Sequence, residues 1–416
     1  MLKLNNTMSR KVESFKPRND GQVKMFTCGP SIYRRPHVGN YRSFLWEDVL
    51  QRYLEFLDYR VERVINFTDV EDKAIAEAEK EGAEVKELTD SIAQQFLDDA
   101  VLLKIKLPDF IPRSSTSVDQ AVELIKKLLE KGYAYRHAND VFYDPLKFKG
   151  FGKLFRLDMK QWPKEKKRFK RDTYPGRRWN LGDFILWHGY KDGDQLYWDT
   201  EIGRGRPSWN IQDPAMITKH LGYQIDIACG GIDNIYRHHD YNIAVIEAVS
   251  GKEFSRYWLH GEHLLVDGKK MSKSRGNIIY PEDLLNDGYS AAQIRFYLIY
   301  GHHRKKMNLT RKNLQQTSNK LDILKGMIKE LTTHSDSAKE NGTARRLLAG
   351  LLPDFERSMN EDLNVGLAFD KLFDSLARLM ELKRKAMLAK TASEELLQKT
   401  KQIDQVLQVI HNDEQN

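Results

Sequence analysis

Short apolar runs alternate with amphipathic segments through the first third of the chain. Residues 23–28 and 61–67 are largely apolar and predict strands. Because ligands bind beyond the carboxyl ends of parallel strands, Cys28 and Thr68 mark the expected site. Strand, loop, helix and strand at this spacing predict an α/β fold with a doubly wound parallel sheet. The intervening helix follows Asn40, with a buried face formed by Phe44, Leu45, Val49, Leu50, Tyr53, Leu54 and Leu57.

The pattern changes further along the chain. Residues 112–200 combine short strands with many turns, which predicts an insertion between two halves of one fold. The parallel pattern returns with a strand at 225–229, a helix through 242–249 and a strand at 264–266. From about residue 309 an amphipathic stripe predicts a helical bundle, with Phe369, Leu372, Phe373, Leu376, Leu379 and Met380 in its core. The expected domains are therefore 1–111, 112–200, 201–308 with a lysine-rich loop, and 309–416.

Composition restricts the class of protein. The chain has 416 residues, 40% hydrophobic and 30% charged, which is typical of soluble globular proteins. No signal peptide and no membrane span are expected, and two cysteines, Cys28 and Cys229, suit a reducing cytoplasm. The net charge of +8 indicates an anionic partner or ordinary surface charge. We interpret the basic run 164–178 as a solvated loop, with contact to a nucleic-acid backbone as the alternative.

Two short segments carry the clearest chemistry. His37-Val38-Gly39-Asn40 follows a predicted strand and opens a helix, and helix N-termini bind phosphate through unpaired N–H groups and the helix dipole. Lys270-Met271-Ser272-Lys273-Ser274 is a cationic loop whose lysines can neutralise charge on departing phosphates. Together, in this order, they predict a site that binds a nucleoside triphosphate and transfers its α-phosphoryl group.

The segments around these motifs resemble those of the cysteinyl-tRNA synthetases. The likeness begins with Cys28-Gly29-Pro30-Ser31-Ile32-Tyr33 and continues through residues 37–42 and 66–73. Segments 183–187, 209–211, 230–233, 238–239, 270–274 and 359–364 then follow in the family's order. The resemblance implies a class I synthetase fold: a Rossmann-like doubly wound parallel sheet, an inserted connective domain and a C-terminal helical bundle.

The resemblance also implies a reaction and roles for its residues. An amino-acid carboxylate attacks the α-phosphate of ATP, supplied with Mg²⁺, and leaves an aminoacyl-adenylate and pyrophosphate. His37 and Asn40 would contact the phosphates, and Lys270 and Lys273 would hold the leaving pyrophosphate. Nucleotide binding is implied for Gly39, Gly230, Gly231, Asp233, Met271, Ser272 and Ser274. Asp233 would accept a ribose hydroxyl, and Gly230 and Gly231 would leave room for the sugar. Amino-acid binding is implied for Cys28, Gly29, Thr68, Trp209, Asp213, His238 and Asn242.

The chain departs from the family at the site of its zinc ion. The family holds zinc with two cysteines, a histidine and a glutamate, and the matching positions here are Cys28, Asp213, His238 and Asn242. A neutral amide is a poor zinc ligand, and one thiolate has become a carboxylate. We therefore expect a site without zinc that does not select cysteine. Asp213 then needs a partner from the substrate or from the protein itself.

Three functions are compatible with these observations. The leading hypothesis is an amino-acid-adenylating ligase whose acceptor is an amine or hydroxyl other than tRNA, because the chain ends soon after the bundle, where the family carries an anticodon-binding module. The first alternative is a true cysteine–tRNA ligase, divergent in sequence. The second is a non-catalytic binding protein, which would have no need of His37, Asn40, Lys270 and Lys273. No membrane partner is expected.

Overall fold

The computed structural model describes residues 1–158, 183–333, 341–385 and 387–411, so the basic run at 164–178 lies outside the described part. The helices are Val38–Phe56 (α1), Asp72–Glu81 (α2), Val85–Leu102 (α3), Val118–Glu130 (α4), Trp209–His220 (α5), Asp240–Ser250 (α6), Pro281–Asn286 (α7), Ala291–Tyr300 (α8), Arg311–Thr332 (α9), Gly342–Met359 (α10), Val365–Arg384 (α11) and Lys390–Leu407 (α12). The strands are Lys3–Asn6 (β1), Lys11–Ser14 (β2), Gln22–Thr27 (β3), Arg60–Ile65 (β4), Ala134–His137 (β5), Asp140–Tyr143 (β6), Phe184–Gly189 (β7), Gly205–Pro207 (β8), Ile225–Gly231 (β9), Ser255–Gly261 (β10), Leu264–Val266 (β11), Lys269–Lys270 (β12) and Met307–Leu309 (β13).

The central sheet has the strand order β10–β9–β3–β4, with parallel pairing throughout. Side chains alternate across such a sheet, and both of its faces are covered here. On one face, Met25 and Ile227 belong to the same apolar core as residues of α1 and α3. On the other, Phe26 and Ala228 belong to a core that includes residues of α5 and α6. The predicted doubly wound parallel sheet is confirmed.

Several predicted element boundaries were wrong by a few residues. Helix α1 begins at Val38 rather than after Asn40, because His37 serves as its N-cap. Strand β9 runs on through Gly231, so the glycine pair belongs to the strand and not to the loop after it. Strand β4 ends at Ile65, two residues before the predicted end.

The segment predicted as short strands and turns contains a helix. Helix α4 buries one stripe of apolar residues at helical spacing, namely Val118, Ala121, Val122, Leu124, Ile125 and Leu128. It belongs to one core with an antiparallel sheet of order β5–β6–β7–β8. The strands and turns were therefore foreseen, whereas the helix that covers them was missed. The domain boundaries stay predictions.

Helices α9 to α12 form the predicted bundle in the described C-terminal region, with Phe369, Leu372 and Leu376 in its core. A buried arginine joins this bundle to the first helix of the fold. Arg295 Nη2 of α8 pairs with Asp48 Oδ2 of α1 at 2.5 Å, and Arg295 Nε donates to the carbonyl of Leu407. Burial opposes ionisation of Asp48, but the pairing with Arg295 and Arg52 lowers its pKa below the usual value. None of the described helices is long and apolar enough to cross a membrane.

Replacing Arg295 with alanine should destabilise the protein strongly. The change leaves the Asp48 carboxylate buried without its main partner, which typically costs about 3–5 kcal/mol in the free energy of unfolding. Urea unfolding at pH 7 measures the loss. Arg311→Ala, at an arginine that is 88% exposed, is the matched control and should change stability by less than ~0.5 kcal/mol.

The loss of stability caused by Arg295→Ala should depend on pH. The lowered pKa of Asp48 stabilises the folded wild-type protein above the carboxyl group's ordinary pKa, and this contribution is lost as the pH falls through the lowered value. The difference in the free energy of unfolding between wild type and Arg295→Ala should therefore become smaller as the pH falls. A difference that grows at lower pH would contradict the assigned pairing.

Candidate functional site

The first turn of α1 is held by a reciprocal cap. The Asn40 backbone N–H donates to His37 Nδ1 at 3.3 Å, and the His37 backbone N–H donates to Asn40 Oδ1 at 3.0 Å. Burial lowers the pKa of His37, and the charge of Lys270 lowers it further. The neutral imidazole uses Nδ1 as an acceptor, so the proton is assigned to Nε2, which is then a donor. This arrangement suits an anionic ligand.

The lysine loop packs directly on this turn. A Cβ atom added to Gly39 would lie only 2.6 Å from Met271 Cε, so the absence of a side chain at Gly39 lets the two motifs touch. Arg275 Nη1 donates to the Lys270 carbonyl at 3.0 Å, and the Ser272 N–H donates to Asn277 Oδ1 at 3.0 Å. These bonds shape the loop while Met271 anchors it. Segments more than two hundred residues apart thus form one wall.

Lys270 faces the end of strand β9. Its Nζ lies 3.5 Å from Asp233 Oδ2, and both side chains are more than half exposed. A Cβ atom on Gly231 would lie 2.6 Å from Asp233 Oδ1, so this glycine gives the carboxylate its room. The predicted phosphate-binding lysine and the predicted ribose-binding aspartate are therefore neighbours. The side chain of Lys273 lies outside the described part of the structure.

A cleft of about 570 Å³ collects half of the predicted site, a volume typical of small-molecule pockets. The predicted residues that line it are Cys28, Gly29, His37, Gly39, Asn40, Gly231, Asp233, Lys270 and Met271. The predicted residues that are not part of its lining are Thr68, Trp209, Asp213, Gly230, His238, Asn242, Ser272 and Ser274. The residues predicted to bind the nucleotide are thus largely brought together, whereas most of those predicted to bind the amino acid are not part of the cleft lining.

Asp213 is the centre of a buried amide cluster. Asn66 Nδ2 donates to Asp213 Oδ1 at 2.9 Å, and Asn242 Nδ2 lies 3.5 Å from Asp213 Oδ2. Asn66 Oδ1 in turn accepts the Gly29 N–H at 2.8 Å, which ties the cluster to the cleft. Burial raises the pKa of Asp213 to about 6. The partner that this carboxylate needs is thus supplied by the protein.

His238 and Trp209 pack together beside this cluster, with ring centroids 4.8 Å apart. Burial lowers the pKa of His238 to about 4, so its ring is neutral at pH 7. The preceding residue, Arg237, has φ 72° and ψ −69°, a strained backbone turn. Thr68 contributes through its backbone, which bonds to Pro30 and Ile32 on the loop below the cleft.

The donor set at the family's zinc position does not fit zinc as arranged. Burial raises the pKa of the Cys28 thiol, and the Asp213 carboxylate raises it further, so the free side chain is a protonated thiol. Asn234 Nδ2 donates to Cys28 Sγ at 2.9 Å, and Asp213 is occupied by its two amides. Within the described ranges, Cys28, Asp213 and His238 do not bring three ligand atoms within 4.8 Å of one another.

Only one trio of potential ligands is that close in the described part of the chain, and it is elsewhere, at His302, His303 and Asp362. The guanidinium of Arg304 already pairs with the Asp362 carboxylate there. A cation would have to displace that charge, so this group is not a substitute for the family's zinc site.

Sequence reasoning missed several residues that shape the site. Lys73 and Glu262 line the cleft, and Asn66 and Asn234 orient Asp213 and Cys28. Lys73 lay within a quoted motif, but nothing in its spacing indicated that its side chain reaches the cleft. Glu262 directly follows β10, the usual place for a ligand contact in a parallel sheet, and that position was the available signal.

Comparison with known proteins agrees with this geometry. The sequence profile of the family described as "tRNA synthetases class I (C) catalytic domain" matches residues 14–319. The cysteine–tRNA ligase of Chlamydia pneumoniae is 38% identical over 411 residues, which cover 97% of this chain and 85% of that protein. The cysteine–tRNA ligase of Methanococcus maripaludis is 36% identical over 413 residues, covering 96% and 83%.

Solved structures share the fold at low identity. Methionyl-tRNA synthetase of Mycobacterium tuberculosis with methionyl-adenylate superposes with a TM-score of 0.67 at 15% identity, covering 94% of this chain and 90% of that one. The LeuRS–tRNA–LeuAMS complex of Agrobacterium radiobacter K84 gives 0.69 at 11% identity, covering 94% and 85%. These likenesses support the architecture alone.

Gly29→Ala should disturb the link between the cleft and the amide cluster. The added Cβ would lie 1.8 Å from the Asn66 carbonyl oxygen, so the loop must move. We expect a loss of about 1–3 kcal/mol, as overpacking usually costs, seen as a lower melting temperature. Gly326→Ala in α9, where the new methyl group meets open space, should be neutral or stabilising. Equal melting temperatures for the two variants would contradict this contact.

Proposed function

The chain belongs to the class I tRNA synthetases, a family of ligase enzymes, and from that premise we propose that it activates an amino acid with ATP and passes it to tRNA. The observation that carries the proposal is the contact of Met271 with Gly39. It puts the donors of the α1 cap and the lysine loop on one cleft wall. A scaffold without catalysis would have no use for such a convergence.

The chemistry follows from where charge develops. A carboxylate oxygen of the amino acid attacks the α-phosphorus of ATP, the bond to the bridging oxygen breaks, and pyrophosphate leaves. His37 Nε2–H and the first-turn N–H groups of α1 would stabilise charge on the phosphoryl oxygens. Lys270 would neutralise the departing pyrophosphate. Mg²⁺ would arrive with the triphosphate and be held mainly by its oxygens, as is usual for this ion.

The second step transfers the acyl group. A ribose hydroxyl of the tRNA end attacks the carbonyl carbon of the adenylate and gives its proton to a phosphate oxygen, and AMP leaves with the bridging oxygen. The relatives that cover nearly the whole chain are named cysteine–tRNA ligases, which supports the tRNA alternative better than the leading hypothesis of another acceptor. tRNA is therefore the acceptor that we propose.

We also propose that the amino acid is bound without zinc. The support is that side-chain amides donate to both Asp213 oxygens and that Asn234 donates to Cys28 Sγ. A pocket of this kind recognises its substrate by hydrogen bonds and shape, not by a metal–thiolate bond. Cysteine remains the first amino acid to test because of the relatives' names, and a small polar amino acid is the second candidate.

Amino-acid-dependent ATP–pyrophosphate exchange across all standard amino acids tests the first step. The rate should depend on one or a few amino acids and fall by about 100-fold or more in Lys270→Ala, as expected when one transition-state donor is lost. Lys269→Ala is the matched control, because this neighbouring lysine is exposed and does not line the cleft. It should retain exchange within about twofold, since an exposed charge away from the site contributes little.

The same reactions with added total tRNA test the second step. Transfer of the labelled amino acid to tRNA supports the proposed acceptor, whereas exchange without transfer supports the small-molecule acceptor. Absence of exchange with every amino acid would contradict the proposed function and support the non-catalytic alternative.

Metal analysis tests the zinc-free pocket. We expect substoichiometric zinc in the purified protein, and exchange that survives dialysis against a chelator, because Asn234 already bonds to Cys28 Sγ and amides already bond to Asp213, which leaves zinc no complete ligand set. Cys28→Ser should lower exchange only modestly. One equivalent of zinc that disappears in Cys28→Ser, together with exchange restricted to cysteine, would overturn this part of the proposal.

A further inference from the structure

The strand order of the central sheet arranges the parts of a nucleotide along the cleft. Strand β3 leads to His37 and Asn40, strand β9 ends beside Asp233, and strand β10 ends at Gly261. Neighbouring strands lie about 4.8 Å apart, so β3 and β10 are roughly 10 Å from each other, comparable with the distance from the α-phosphate to the base of a nucleotide. If the phosphates lie at β3 and the ribose at β9, the base lies at β10.

Glu262 is the first residue after β10 and lines this end of the cleft. Gly261 and Gly231 are register partners, so Glu262 is level with the residues expected to contact the ribose. The backbone of Glu262 is fixed on both sides. Its N–H donates to the His303 carbonyl at 2.8 Å, and its carbonyl accepts from Arg42 Nε at 3.3 Å. The side chain therefore starts from a fixed position.

One oxygen of the Glu262 carboxylate lacks a donor. Its Oε2 is buried and has no hydrogen-bond partner, which is costly for a charged group. In the part of the chain that the structure describes, the other cleft-lining side chain with a buried unpartnered atom is Arg34, whose Nε is a donor. Of these two side chains, Glu262 is the one whose buried unpartnered atom is an acceptor.

The charge of Arg42 interacts with the Glu262 carboxylate, but Arg42 gives that carboxylate no hydrogen bond. The Arg42 side chain donates to the carbonyls of Glu262, His302 and Lys305 rather than to the Glu262 carboxylate. Trp46 Nε1 is a buried donor without a partner, 2.4 Å from where a Cβ on Gly261 would lie. A bond from this indole to Glu262 is the internal alternative, and it would give the carboxylate a purely structural role.

We propose that Glu262 selects adenine, its carboxylate accepting a hydrogen bond from the exocyclic amino group of the base. This inference rests on the proposed use of ATP. Guanine carries a carbonyl oxygen at the matching position, so two acceptors would face each other and the base would be rejected. A site built to receive a donor also discriminates strongly against an analogue that lacks it.

The experiment compares ATP with purine riboside triphosphate, which lacks the exocyclic amino group, and with GTP. Pyrophosphate exchange is measured with the amino acid that gives the fastest rate, in wild type, Glu262→Ala and Glu262→Gln. In wild type, kcat/KM should be about 10- to 100-fold higher for ATP than for the analogue, because a hydrogen bond to a charged group typically contributes that factor. In Glu262→Ala the preference should shrink to within about threefold.

Glu262→Gln should accept GTP better than wild type does, because an amide can donate to the guanine oxygen. Glu253→Gln, at an exposed glutamate just before β10, is the control and should keep the wild-type preference. Melting temperatures report whether each variant folds. A lower melting temperature in Glu262→Ala with an unchanged nucleotide preference would assign the carboxylate to Trp46 and overturn the proposal.

Calorimetric binding of ATP and purine riboside triphosphate to the same proteins separates this inference from the proposed function. If no amino acid supports exchange, the function fails, but the ratio of the two dissociation constants still decides the role of Glu262. Equal binding of both nucleotides by wild type would contradict the inference, whether or not exchange occurs.

Discussion

Parallel pairing of β10, β9, β3 and β4 is the constraint on which the rest of this protein depends. It ends every strand of the central sheet at the same edge, so residues from distant parts of the sequence reach one cleft. The register Gly261 to Gly231 and Thr27 to Cys229 sets their relative heights. A slip by one residue would turn each strand's buried side chains to the opposite face, so the two cores that flank the sheet also fix the geometry of the site.

Helix α1 transmits this geometry to the rest of the chain. Its first turn forms a wall of the cleft, its middle carries Asp48, and Asp48 is paired with Arg295 from the helix that precedes the bundle. The position of this cleft wall and the attachment of the bundle thus both depend on α1. The cap that faces the cleft and the ion pair that attaches the bundle therefore lie on the same helix.

Local patterns were sufficient to predict the parallel sheet, the first turn of α1 and the lysine loop, because each depends on neighbours in sequence. They were insufficient for α4, whose apolar stripe was hidden among turn residues. They also did not show how Asp213 is satisfied. Asn66 lies 147 residues away from Asp213, and only the folded arrangement reveals that its amide supplies the donor. Sequence therefore predicted the sheet and the cleft wall better than the surroundings of Asp213, since those surroundings are made of long-range contacts.

The ion pair between Lys270 and Asp233 has a consequence for how a nucleotide enters. If Lys270 binds the triphosphate and Asp233 binds the ribose, as proposed, the nucleotide must break this ion pair and replace each partner. The pair is exposed and separated by 3.5 Å, and added salt weakens it as it weakens phosphate binding. These two effects oppose each other. Nucleotide affinity should thus respond to ionic strength less steeply than the number of cations around the cleft would indicate.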